Sequence, residues 1–221
     1  MWKQALDLFF RREYTPLGFD IGKNDTVVDI GAKKGMFVAL AASYKSEIIY
    51  AFEPDYDNYN YLKALIDYNN LSSVTLFKEA VAEHNGQIKL NKSLANTRHS
   101  ILGKDVLTGE VLKDFVSIPA ISLDSALHNL PIVDLLKIDC EGAKYEIIFH
   151  AQSDTLNKIR RIVMEYHGSE ESDEVKKFIQ AIRIRGLSRY SPSEAESQIR
   201  HGVCCPTDKL GLYVIFNIAN Y

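Results

Sequence analysis

The sequence predicts an α/β fold: a mostly parallel sheet with helices on both faces. Three observations predict it. Short β-branched or apolar runs alternate with segments of helical period along most of the chain, and parallel strands need such crossovers. The first run, Val27-Val28-Asp29-Ile30, enters the loop Gly31-Ala32-Lys33-Lys34-Gly35; a helical segment follows, and the next run, Ile48 to Phe52, ends in Glu53. The 221 residues are 46% hydrophobic and 25% charged, which suits one domain, residues 1–221, with a sizeable core.

The elements follow in order. Residues 27–30 read as a strand, and 36–44 as a helix with Met36, Phe37, Leu40, Ala41 and Tyr44 in phase. Residues 48–52 form a second strand, and 56–69 a helix with Tyr59, Leu62, Leu65 and Ile66 on one side, stopped by Asn69-Asn70. Val74 to Phe77 is a third strand. The alternation then breaks: 82–120 carries the turn signal Asn85-Gly86, a short run at Gln87–Leu90, a polar stretch and Val116-Ser117-Ile118. This segment reads as an insertion over the active-site edge, with antiparallel strands and a mobile loop. Alternation resumes with helix 122–128, strand Val133 to Ile138, helix 143–150, strand 160–165 and helix 173–184. Two closing runs, 187–190 and 212–216, read as an antiparallel pair at the C-terminal edge of the sheet.

Residues 1–24 form an N-terminal helical extension. Trp2, Leu6, Phe9 and Phe10 recur at helical spacing between Lys3, Gln4 and Asp7, which is an amphipathic helix packed on the domain edge, not a signal peptide. No apolar run approaches the roughly 20 residues of a transmembrane segment. The net charge of −3 gives no reason to expect nucleic acid as a partner. Three cysteines, two of them adjacent at 204 and 205, form no framework and point to a reducing, cytoplasmic setting. The oligomeric state is not written in the sequence.

In a parallel sheet, ligands bind beyond the carboxyl ends of the strands. Those ends present Asp29 to Gly35; Glu53 and Pro54; Glu79, Ala80 and Val81; Asp139, Cys140, Glu141 and Gly142; and Glu165, Tyr166 and His167. Gly31 and Gly35 allow a tight turn and close approach of a ligand, and Glu53 stands where it can accept hydrogen bonds from ribose hydroxyls. The loop is Asp-x-Gly-x-x-x-Gly and lacks the Gly-x-Gly-x-x-Gly turn that a dinucleotide pyrophosphate needs, which favours S-adenosyl-L-methionine. The run Leu135-Leu136-Lys137-Ile138-Asp139-Cys140-Glu141-Gly142 puts charge inside an apolar strand. Lys137 and Asp139, two apart, share a side, so they read either as an internal ion pair or as a ligand-facing acid.

In order, the segments Asp29 to Phe37, Phe52-Glu53-Pro54-Asp55, Ala80-Val81, Ser122 to Leu127, Leu136 to Ala143 and Met164-Glu165-Tyr166-His167 resemble the pattern of FkbM-type methyltransferases, over roughly residues 25–216. The resemblance implies a Rossmann-like class I methyltransferase fold with a seven-stranded sheet, S-adenosylmethionine as cofactor, and usually O-methylation of a sugar or secondary-metabolite hydroxyl. Two positions depart from the pattern: Lys33 replaces the usual Asn of the first loop, and Lys144 replaces a second acid after Glu141-Gly142. Both add positive charge near the site.

On this reading Gly31, Ala32 and Gly35 line the methionine part, and Asp29 orients the loop. Glu53 and Pro54 take the ribose, and Glu79, Ala80 and Val81 border the adenine. Asp139 contacts the methionine amino group or the acceptor, and Glu141, Glu165 and His167 are candidate bases. Asp139, Glu165 and His167 could also hold a divalent cation, but they match no specific metal motif, and no metal is assigned. The expected function is methylation of a hydroxyl on a small molecule or sugar. The alternatives are a non-catalytic S-adenosylmethionine-binding module and a dinucleotide-dependent oxidoreductase.

Overall fold

The computed structural model describes residues 20–91, 115–140, 144–164 and 180. The elements in order are β1 (Thr26–Ile30), α1 (Met36–Ser43), β2 (Ile48–Phe52), α2 (Tyr56–Tyr68), β3 (Val74–Phe77), β4 (Ala80–Ala82), β5 (Gly86–Asn91), β6 (Phe115–Ser122), α3 (Leu123–Ala126), β7 (Leu135–Ile138), α4 (Lys144–His150), α5 (Ser153–Leu156) and β8 (Ile162–Met164). The expected N-terminal helix, the helix at 173–184 apart from residue 180, and the closing strand pair at 187–190 and 212–216 lie outside the described residues.

Among the described residues, five strands form one sheet in the order β3-β2-β1-β7-β8. Every neighbouring pair is parallel. The order reverses between β1 and β7, so the crevice of this Rossmann-like sheet opens beyond their carboxyl ends. A second sheet, β4-β6-β5, pairs β5 antiparallel and β4 parallel to β6.

The period-2 alternation of strand side chains sorts the core into two layers. Val28, Ile30, Phe52, Leu136 and Ile138 face Leu123, Leu127, Ile147, Ile148 and Leu156. Val27, Ile49, Ala51, Leu135 and Val163 face Phe37, Val38, Leu40 and Ala41 of α1 and Leu62 of α2. Asp29 and Lys137 have the parity of this second layer, so both charged side chains lie beneath α1. Lys137 Nζ sits 5.5 Å from the centroid of the Phe37 ring.

The helices follow from local chemistry. Asp55 caps α2, its carboxylate accepting from the backbone N–H of Asp57 (3.1 Å) and Asn58 (3.0 Å). Along α2, Leu62 is fully buried, while Tyr56, Tyr61 and Tyr68 are exposed. Ser122 caps α3 by accepting from the Ser125 N–H.

Candidate active site

The site is built where the ends of β1, β2 and β7 meet. The loop after β1 turns through three left-handed residues: Gly31 (φ 79°), Lys33 (φ 51°) and Gly35 (φ 84°). The Gly31 and Ala32 N–H groups both donate to the Phe52 carbonyl (3.0 Å each), which pins the loop to the end of β2. At Gly31 the tight approach is to protein: a Cβ there would collide with the Asp139 carbonyl oxygen. A Cβ on Gly35 would strike Leu62 of α2. Both glycines also hold a positive φ that side chains rarely adopt, so the fold of the loop already favours glycine at both positions.

Glu53 is 4% exposed and is held by the loop it supports. Its Oε2 accepts from the Lys33 N–H (2.7 Å) and its Oε1 from the Asp55 N–H (2.9 Å). Burial pushes the carboxyl up to about 7, against the lowering effect of the Asp55 and Lys33 amides. The Asn58 side chain also hydrogen-bonds the carboxylate, and the acceptor capacity that remains is what a ribose hydroxyl needs. Pro54 is half-buried beside it.

The charged residues of β1 and β7 form a chain. Asp29 and Lys137 are register partners across the ladder, with Lys137 Nζ 2.8 Å from Asp29 Oδ1. Asp139 Oδ2 lies 3.7 Å from Lys137 Nζ and 2.9 Å from Lys33 Nζ. Of the two readings of Lys137 and Asp139, the internal ion pair is present at 3.7 Å, but Asp29 is the closer partner of Lys137, because register neighbours on adjacent strands stand nearer than residues i and i+2 of one strand. Burial pushes Asp29 up from the usual carboxylate range against the pull of Lys137. Burial also draws Lys137 down, but Asp29 and Asp139 outweigh it and hold the lysine above its ordinary value. Asp29 Oδ2 is buried without a hydrogen-bond partner.

The other expected residues are spread wider. Glu79 is half-buried between β3 and β4. Ala80 and Val81 are buried in β4; Val81 packs into the main core and Ala80 into the core of the second sheet. Phe77, at the end of β3, stacks on Phe52 with centroids 4.6 Å apart. Glu141, Glu165 and His167 lie outside the described residues. Lys144, the second departure, is buried at the start of α4. Lys33 is not among the residues expected in the site, although its replacement of Asn was the signal: Asn is the residue that tolerates the left-handed conformation found there.

Glu83, Glu146 and His150 are a separate group, well exposed, whose ligand atoms lie within 4.8 Å of one another. Solvated carboxylates gather in this way without an ion, and none of the three was expected in a site.

A parallel sheet with its order reversal beside a glycine loop, and acids at the ends of β1, β2 and β7, is a Rossmann-like arrangement. Residues 29–188 match the Methyltransferase FkbM domain, and the chain belongs to that family. Among solved structures, it is similar to a protein described as an rRNA methylase from Clostridium thermocellum, at 16% identity over 80% of this chain and 79% of that one, with a TM-score of 0.47. It is also similar to precorrin-6y C5,15-methyltransferase from Geobacter metallireducens GS-15, at 17% identity over 79% and 70% of the two chains, with a TM-score of 0.44. A comparison with curated proteins found no match. No helix among the described residues is long and apolar enough to cross a membrane.

Proposed function

We propose that the chain is an S-adenosylmethionine-dependent methyltransferase that methylates a hydroxyl oxygen of a small molecule or sugar. One observation carries this reading: a single glycine loop is tied at once to both acids a nucleoside amino acid requires. Its Lys33 N–H binds Glu53, and its Gly31 backbone abuts Asp139. Membership of a methyltransferase family sets the oxidoreductase alternative aside.

The residues present suit the cofactor. Glu53 would take the ribose hydroxyls on its remaining lone pairs, with Pro54 alongside. Gly31, Ala32 and Gly35 would border the methionine part, Glu79, Ala80 and Val81 the adenine, and Asp139 the amino group. Asp29 acts at one remove, by holding Lys137 and so fixing the end of β7. Bound there, S-adenosylmethionine supplies an electrophilic methyl group on a sulfonium sulfur. The protein's part is to align the acceptor hydroxyl and take its proton. Asp139, Glu141, Glu165 and His167 are the groups assigned to that work. Since two lysines neutralise Asp139, its part is to position, and the proton falls to Glu141, Glu165 or His167. A net charge of −3 favours a small acceptor over a polyanion.

The test is a methyl-transfer assay on a panel of sugars and hydroxylated small molecules, following S-adenosylhomocysteine and the methylated product by mass. A methyl ether formed only with enzyme and acceptor together supports the reading. Transfer to nitrogen or to RNA would overturn its acceptor class, and cofactor binding without turnover on any acceptor would favour the non-catalytic alternative.

A further inference from the structure

Outside the site described above, ligating side chains from two elements meet at the surface. Helix α4 packs against β4, and Val81, Ile147 and Ile148 share one core cluster. The same packing brings Glu146 and His150 of α4 to Glu83, the residue after β4, with one ligand atom of each within 4.8 Å of the others. Two carboxylates alone would be an ordinary solvated gathering. The imidazole among them, and its spacing, set this group apart. Glu146 and His150 are four residues apart on one helix, so they share a face. His150 Nδ1 lies 3.4 Å from Glu146 Oε2. A tetrahedral zinc ion with bonds of about 2.0–2.2 Å holds its ligand atoms roughly 3.4 Å apart, so this pair already has the required bite. Glu83 comes from the other element, and its half-exposed side chain can rotate to close the remaining gap. The ion-pair partners of both carboxylates are imidazoles: His150 for Glu146, and His84, whose Nδ1 is 3.1 Å from Glu83 Oε1. A lysine in either place would repel a cation, whereas an imidazole gives up its proton and becomes a ligand. One nitrogen and two carboxylate oxygens suit a borderline ion such as zinc better than magnesium, which prefers oxygen alone.

We propose that Glu83, Glu146 and His150 bind a zinc-type divalent cation that clamps the β4–β5 turn to α4. The ion ties the second sheet to the helix that follows β7, so its effect is on stability and not on the methyl-transfer step. His84 orients Glu83 from the other side. His150 Nδ1 also lies 3.0 Å from the Glu146 carbonyl oxygen, so proton and metal compete for this nitrogen, and binding weakens as pH falls. This proposal is independent of the cofactor reading.

The test is calorimetric titration of the full chain with zinc chloride and, separately, magnesium chloride, with thermal unfolding read on the same samples. The chain has three cysteines and six histidines, which offer zinc other ligands. The readout is therefore the equivalent that disappears in Glu83→Gln and in His150→Gln, two exposed positions where the change removes a ligand. The expected result is one zinc equivalent in wild type that weakens at least about tenfold in each variant. Zinc should raise the unfolding temperature of wild type more than that of either variant. The same equivalent should weaken between pH 7 and pH 5.5. Equal zinc titrations of wild type and His150→Gln overturn the proposal. Loss in His150→Gln but not in Glu83→Gln overturns the clamp, because α4 would then chelate the ion by itself. Magnesium binding as tightly as zinc overturns the assignment of the ion.

Discussion

Lys137 keeps its charge among apolar strands because Asp29 faces it across the β1–β7 ladder at 2.8 Å. Removing the nearer partner of a buried charge leaves it poorly compensated. Asp29→Asn should therefore cost about 3–5 kcal/mol of stability in urea unfolding. Asp139→Asn, which leaves that pair intact, should cost clearly less, and equal losses would show that Lys137 depends on both acids alike. Glu53 gives a pH dependence of known sign. Its carboxyl titrates at about 7 in the folded protein, above its ordinary 4.5, so the folded state binds the proton more tightly than the unfolded one. Its contribution is fully present below about pH 4.5 and is lost as pH rises through 7, by up to about 3 kcal/mol. Urea unfolding at pH 5.5 and pH 8 should show wild type losing stability across that interval, and Glu53→Gln losing much less of it. Ligand hydroxyls hydrogen-bond best to the ionised form, so affinity for S-adenosylhomocysteine should fall as pH drops below 7.

Strand β7 carries charge at both ends, for different purposes. At its amino end Asp134 accepts from the Thr26 N–H (2.9 Å) and from Arg160 Nη1 (2.6 Å), while Arg161 reaches the Asp134 carbonyl and Asp25. At its carboxyl end stand Lys137 and Asp139. Asp134→Ala should destabilise the fold by about 1–3 kcal/mol, since it leaves the Thr26 N–H without its acceptor. It should leave the affinity for S-adenosylhomocysteine unchanged, and calorimetry on the folded variant checks this. Gly31→Ala acts on the opposite end. It places a Cβ against the Asp139 carbonyl and forces alanine to a φ of +79°, so it should lose more than about 1 kcal/mol of stability as well as affinity. The β-branched runs made β1, β2, β3, β7 and β8 legible in the sequence, and the acids at their ends follow from that placement. The Asp29–Lys137 pair was not legible: the two are 108 residues apart, and only the register brings them together. Strand β4 was missed for another reason. Three residues, Ala80–Ala82, are too few to show a period, and they are held by pairing with β6, some 40 residues further along the chain. The single turn of α5 was equally hidden by its length.

The sheet as a whole makes one loop answer to two strands. The order reversal at β1 and β7 opens the crevice, the close approach of Gly31 to Asp139 narrows it, and the tie between Lys33 and Glu53 draws in the end of β2. The chain belongs to a methyltransferase family, and we propose that the junction of β1, β2 and β7 is where its nucleoside cofactor binds. Calorimetric titration with S-adenosylhomocysteine of wild type and Glu53→Ala, each first shown to be folded by its unfolding transition, tests this. Saturable binding at a single site in wild type, weakened at least about tenfold in Glu53→Ala, is the expected result, since the variant loses charge-assisted hydrogen bonds worth roughly 1.5–3 kcal/mol each. Equal affinity in the two folded proteins, or no binding by wild type, would contradict it.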